Sequence, residues 1–324
     1  MAPATGASAN GGPGPRFGLL PWSQATDWPG LRDAALAAEV AGWDSVWVWD
    51  HLLSIMGPAD QAILEGWTSV AAIAALTSRV RVGLMVGANT FRNPGLTAKL
   101  ATTLDHISGG RAVLGLGGAW FEREHDAFGI DFGETVGRRL DWLDEAAGLI
   151  RRLLDGDVVT HDGPRYHLRD AMCRPVPLQP RLPILVGGAG PRKTLRTVAR
   201  HADAWNTSGY VHEVVERIRI LEEHCADVGR DPGAIERTIS FPVIVRDSEP
   251  QATAVWDRLI TANGATHAGT VPHLLGSPAL IADAIRPYLG LGFSTIIVRM
   301  PAPYDRETID RMPEVASLLG ATVA

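Results

Sequence analysis

Cysteine is nearly missing from this chain. Cys173 and Cys225 are the only two in 324 residues, with no Cys-x-x-Cys pair, which argues against a disulfide framework and a structural zinc site. A reducing compartment follows, and the cytoplasm is the expected location. Lysine is just as scarce: Lys99 and Lys193 stand alone, both in helical patterns, so a Schiff-base lysine at a strand end has no candidate. No segment reaches the ~20 uninterrupted apolar residues of a membrane span. Positive charge is also short, since 30 Lys and Arg face 36 Asp and Glu for a net charge of −6. That is the wrong sign for a general nucleic-acid or anionic-membrane binder, and neither partner is expected. No His-x-His pair occurs, and most histidines fall on helices, loops or a hairpin, so no metal centre is expected. Residues 1–15 carry neither the positive nor the apolar region of a signal peptide and read as a disordered tail.

What remains is ordinary globular material, 46% hydrophobic and 20% charged, enough to bury a sizeable core. From residue 16 onward, short apolar runs alternate with segments of helical spacing. The spacing predicts strands over 16–20, 44–49, 80–86, 111–116, 184–186, 203–205, 238–245 and 295–298, with helices between them. Eight such pairs indicate an α/β fold, a single (β/α)8 TIM barrel over residues 16–324. A small hairpin over 157–168 and a proline-rich stretch over 175–183 form an insertion between strands 4 and 5. The alternative, an open dinucleotide-binding sheet, is disfavoured. Gly115-Leu116-Gly117-Gly118 begins such a fingerprint, but Trp120 stands where its last glycine belongs.

A barrel carries its chemistry at the C-terminal ends of its strands, and the unusual residues fall there. Asp50-His51 follows the second strand, Gly87-Ala88-Asn89 the third, Gly117-Gly118-Ala119-Trp120 the fourth, Gly187-Gly188-Ala189-Gly190 the fifth and Asn206 the sixth. The run from Gly187 to Gly190 opens a helix bearing Arg192, Lys193 and Arg196, where free N–H groups and the helix dipole suit a phosphate; a plain tight turn is the other reading. His51 is a candidate for proton transfer, with Asp50 placed to orient its ring, although a capped loop histidine reads equally well. A structural role is expected for Glu124-His125. Of the ten tryptophans, Trp22, Trp120 and Trp205 fall near strand ends and are expected as pocket walls, the rest as packing. The loop over 263–276, with His267 and His273, is expected to form part of a lid.

Taken together these stretches resemble the luciferase-like monooxygenase superfamily, in particular its deazaflavin (coenzyme F-420)-dependent oxidoreductases. The resemblance rests on Ala41-Gly42-Trp43-Asp44-Ser45-Val46-Trp47 leading into Asp50-His51, on Asn89 with Arg92-Asn93-Pro94, on Ile107-Ser108-Gly109-Gly110-Arg111, on Gly117 to Trp120 with Glu124-His125, and on 184–190 ending in Asp203-Ala204-Trp205-Asn206. It spans roughly residues 16–210; the C-terminal third matches only in general pattern. It implies a homodimeric flavoprotein-like barrel that holds F-420, or alternatively FMN, at its mouth. The phosphate would lie on Gly187, Gly188, Ala189 and Gly190, a cis peptide at Met85–Val86 would support the ring, and Asn89 and Gly117 would lie near it. His51 and Asp50 would be catalytic, and Trp22, Trp120, Trp205 and Asn206 would wall a small-molecule organic substrate. Hydride transfer is the implied reaction. The alternatives are an FMN-dependent monooxygenase fed by a separate reductase, and a non-catalytic flavin or deazaflavin binder.

Overall fold

The computed structural model describes residues 14–265 and 271–321. Eight parallel strands close into a barrel: Arg16–Pro21, Ser45–Val48, Arg81–Leu84, Ala112–Gly117, Ile184–Gly187, Ala204–Thr207, Glu236–Val245 and Phe293–Met300. Each strand pairs with its neighbours in chain order, and the eighth returns to the first in continuous register from Arg16 opposite Thr295 to Pro21 opposite Met300. The expected barrel is therefore present. The antiparallel hairpin of Val158–Asp162 and His167–Met172 lies between the fourth and fifth barrel strands, as anticipated for the insertion. Its Tyr166 is buried.

Local chemistry sets the helix limits. Asp27, Asn93 and Thr135 each turn a side-chain oxygen onto a free N–H of the helices Trp28–Val40, Pro94–Ser108 and Val136–Leu154, removing orphan donors at those ends. Gly109 closes the second of these at a φ of 67°, a left-handed turn that glycine adopts without Cβ strain. The short elements not anticipated include the helix Glu122–Phe128 and the strand Leu274–Gly276 beside the end of the seventh strand. That strand occupies part of the expected lid; His267 and residues 266–270 lie outside the described residues, as do residues 1–13 of the expected tail.

The strands are apolar on both faces, as a sheet covered by helices requires, and alternate residues serve different layers. Leu19, Val46, Val48, Leu114 and Val186 face the helices. Leu20, Trp47, Val113, Leu185, Ala204 and Ile297 fill the barrel interior. Among the described residues no helix is long and apolar enough to cross a membrane.

Candidate active site

Strand parity decides which residues reach the mouth. Continuing the interior positions toward the C-terminal ends, Leu20 leads to Trp22, Trp47 to Trp49 and His51, Leu185 to Gly187, Ala204 to Asn206 and Ile297 to Arg299. All of these upper residues line one cleft, about 1450 Å³ of space open to solvent, together with Met85, Val86, Gly117 and Trp120.

His51 sits on one wall. Its Nδ1 lies 3.0 Å from Glu124 Oε1, and the other carboxylate oxygen accepts the Leu52 N–H at 2.8 Å. Glu124 is 1% exposed, on the short unanticipated helix. This buried carboxylate favours the tautomer with the proton on Nδ1 and leaves Nε2 without a hydrogen-bond partner among the described residues. Trp120 meets the imidazole edge-on, with centroids 5.5 Å apart. Trp49 lies behind, stacked on Trp22 at 5.0 Å.

The expected orienting role of Asp50 is corrected here. Asp50 is one residue out of phase with His51, so it turns away from the ring and holds Arg92 through two hydrogen bonds of 2.6 and 3.0 Å while accepting the Ala88 N–H. Burial pushes its carboxyl up despite the neighbouring guanidinium. Its position braces the loop after the third strand, and Glu124 supplies the contact assigned to it. Glu124, read from sequence as structural, is the residue that sequence reasoning missed; its partner lies 73 positions away, and no local signal pairs them.

The floor is built by a close fit. Met85–Val86 is a cis peptide, at the bond expected to carry one. A Cβ on Gly117 would come within 2.6 Å of Val86 Cγ2, and one on Gly187 within 2.9 Å of Val86 Cγ1. These two glycines thus make room for the Val86 side chain, and both also line the cleft. In the loop that follows, the Gly188 N–H already donates to the Asn206 carbonyl at 3.0 Å, while the N–H groups of Ala189 and Gly190 have no hydrogen-bond partner among the described residues. Gly188 has a φ of 130°, and a Cβ on Gly190 would meet Thr194 Oγ1 at 2.7 Å, so both positions hold backbone where a larger residue would not fit. Arg192 and Arg196 stand exposed beside it. Lys193 is committed elsewhere, to Asp141 Oδ2 at 2.6 Å and the Gly137 carbonyl.

Three further expectations change. Trp205 has the parity of the outer layer, is wholly buried there, and donates its indole N–H to the Gly188 carbonyl; it braces the glycine loop and is not a pocket wall. Asn89 is buried and donates to the Tyr166 hydroxyl of the hairpin, away from the cleft. Ala189 belongs to the loop but does not line the cleft, whereas Gly187, Gly188 and Gly190 do. Asn206 lines it and is held by Thr238 Oγ1 at 2.9 Å.

Arg299, on the eighth strand, was not singled out by the sequence. Its Nε is shut off from solvent with no hydrogen-bond partner, while the side chain as a whole opens on the cleft. Burial alone pushes its guanidinium down to about 10. Among the described residues, no three or more His, Cys, Asp or Glu side chains are grouped so as to hold a metal ion.

The cleft thus combines the Met85–Val86 bond, a glycine-rich loop and an imidazole held by a buried carboxylate. Residues 14–295 match the sequence family described as luciferase-like monooxygenase. A phthiodiolone/phenolphthiodiolone dimycocerosates ketoreductase from Mycobacterium sp. (strain JLS) is 32% identical over 290 residues, covering 82% of this chain and 72% of that protein. Among solved structures, an F420-dependent secondary alcohol dehydrogenase in complex with an F420-acetone adduct superposes with a TM-score of 0.79 at 20% identity, covering 93% of this chain and 99% of the other. A riboflavin lyase with modified FMN superposes at 0.80 and 17% identity, covering 96% and 93%. At these identities the structural matches establish the shared fold alone.

Proposed function

The chain belongs to the luciferase-like monooxygenase family, and from that premise we propose that it is an oxidoreductase moving a hydride between the deazaflavin coenzyme F-420 and the carbon of a carbonyl–alcohol pair bound at the barrel mouth. The observation that carries this reading is the His51–Glu124 pair, which engages one imidazole nitrogen of a residue lining the same cleft as Met85 and Val86. The residues that would hold the coenzyme are Met85 and Val86 under its ring and the backbone of Gly187, Gly188 and Gly190 at its phosphate. When bound in its reduced form, F-420 supplies a hydride, the two-electron equivalent that converts a carbonyl to an alcohol.

The chain's own part is placement and proton management. His51 Nε2 gives a proton to the substrate oxygen as that oxygen gains charge, and takes it back in the reverse direction. Glu124 holds the ring in register and faces the positive charge whenever both nitrogens are protonated. Trp22, Trp49 and Trp120 exclude water from the same volume, which keeps the proton route through His51. The ketoreductase and alcohol dehydrogenase among the similar proteins support the carbonyl–alcohol class.

Titration of the purified protein with F-420 and, separately, with FMN tests the reading. Saturable F-420 binding and substrate-dependent oxidation of its reduced form are expected. Tight FMN binding with none for F-420 would replace it with a flavin monooxygenase. Binding of F-420 without turnover of any ketone or alcohol would leave a carrier.

A further inference from the structure

The cleft contains one charge with no counter-charge. Two carboxylates line it, Asp50 and Glu124, and both are engaged, the first by Arg92 and the second by His51 and the Leu52 N–H. Arg299 lines the same space from the end of the eighth strand, and its side chain makes no hydrogen bond or ion pair among the described residues, its Nε enclosed and unsatisfied. Arginines in barrel interiors are rarely left this way, because an unpaired buried cation is costly.

A second orphan lies beside it. The indole N–H of Trp22 is also buried without an acceptor. Trp22 belongs to the strand that pairs with the one bearing Arg299: Leu20 is the register partner of Arg299, and the Trp22 backbone N–H donates to the Met300 carbonyl. Two unpartnered donors, one charged and one neutral, thus sit on neighbouring strand ends of the same cleft, whose lining also includes Trp49, Ile55, Met56 and Met85.

We propose that Arg299 and Trp22 form a carboxylate subsite, and that the substrate is an oxo or hydroxy acid whose carboxylate docks there while its reacting carbonyl or hydroxyl group faces His51. A planar guanidinium presents parallel donors that match the two oxygens of a carboxylate, and the indole N–H adds a third. The single cation and the apolar surroundings favour one planar monoanion over a phosphate, which needs more donors. The binding claim stands on the two orphaned donors; its extension to turnover rests on the oxidoreductase reading above.

The test begins without the coenzyme. Full-length protein is titrated with benzoate and with its uncharged counterpart benzamide, following tryptophan fluorescence. Benzoate should bind about 10- to 100-fold more tightly, the range of a charge-assisted pair. That preference should vanish in Arg299→Gln and survive in part in Arg299→Lys, with Trp22→Phe losing about 3- to 10-fold. Equal affinity for the two probes, no saturable benzoate binding, or a preference that persists in a folded Arg299→Gln protein overturns the subsite. If Arg299→Gln weakens F-420 binding as much as benzoate binding, the arginine serves the coenzyme and the proposal fails. With F-420 bound, 4-oxopentanoate should exceed 2-pentanone in kcat/KM, through KM, and Arg299→Gln should level the two. If both ketones are reduced equally, the subsite falls and the oxidoreductase reading stands. If F-420 does not bind at all, that reading falls and the benzoate titration still decides the subsite.

Discussion

The two walls of the cleft are built on opposite plans. On the wall formed by the second to fourth strands, every ionisable group has its partner before any ligand arrives: His51 with Glu124, Asp50 with Arg92, and Arg92 also with Glu65. On the wall of the eighth and first strands, Arg299 and Trp22 wait with unused donors. The paired wall fixes geometry, which is what proton transfer over ~3 Å demands. The unpaired wall stores an unmet interaction, which is what selective binding demands. The contrast separates holding a catalytic group still from recruiting a substrate, and four measurements probe it.

The largest effect is expected on the paired wall. His51→Ala should lower turnover by about 10²- to 10⁴-fold while leaving the F-420 dissociation constant within a small factor, because the proposed phosphate seat is the fifth strand's loop. A loss of coenzyme binding equal to the loss of turnover would reassign His51 to the ring's support. Next comes Arg92→Met, which strands a carboxylate that is 1% exposed and should cost about 3–5 kcal/mol in urea unfolding. Converting Asp50 to Asn in the same background should return part of that cost. If the single variant is neutral, the bidentate pair contributes no stability and the wall is not braced as described.

The floor offers a third, smaller test. Gly117→Ala places a methyl within 2.6 Å of Val86 Cγ2 and should destabilise by about 1–3 kcal/mol through overpacking. Adding Val86→Ala makes room again, so the double variant should be more stable than the sum of the singles predicts. Additive costs would mean that Gly117 is required for its backbone conformation and not for the space it leaves.

The same parity argument explains what could be read from sequence. The β-α rhythm fixed the barrel because parallel strands covered on both faces need continuous apolar runs, and those runs are visible at 44–49, 80–86 and 295–298. Site membership at strand ends follows from counting in twos from an interior residue. Such a count, anchored at Trp47, puts His51 in phase with the interior and Asp50 out of phase, its carboxylate at the cleft edge turned to Arg92; anchored at Ala204, it places Asn206 inside and Trp205 outside. Adjacency in sequence suggested the opposite for Asp50 and Trp205, since neighbouring residues in an extended chain point to opposite faces. Arg299 carried the same signal, a cation closing the buried run Ile296-Ile297-Val298. Glu124 carried none, because its contact to His51 spans two strands and depends on how a seven-residue helix sits over the mouth.

The smallest effect has the opposite sign from the rest. Replacing Arg299 by Met removes a buried cation that gains nothing from the free protein, so the ligand-free variant should be more stable by about 1 kcal/mol, where Arg92→Met is less stable. The sign follows from linkage. Burial pushes the guanidinium down to about 10 in the fold, well below its ordinary range, so the unfolded chain holds that proton more tightly and the charged arginine penalises folding at every pH below about 10. The penalty fades only as pH climbs from that value toward the unfolded one, so the advantage of the Met variant should be flat from about pH 6 to 9. Saturating benzoate should reverse the order, because it stabilises only the protein that binds it. A Met variant that melts lower than the parent in the absence of ligand would mean that the arginine stem packs the barrel interior, and the two walls would then differ in composition but not in design.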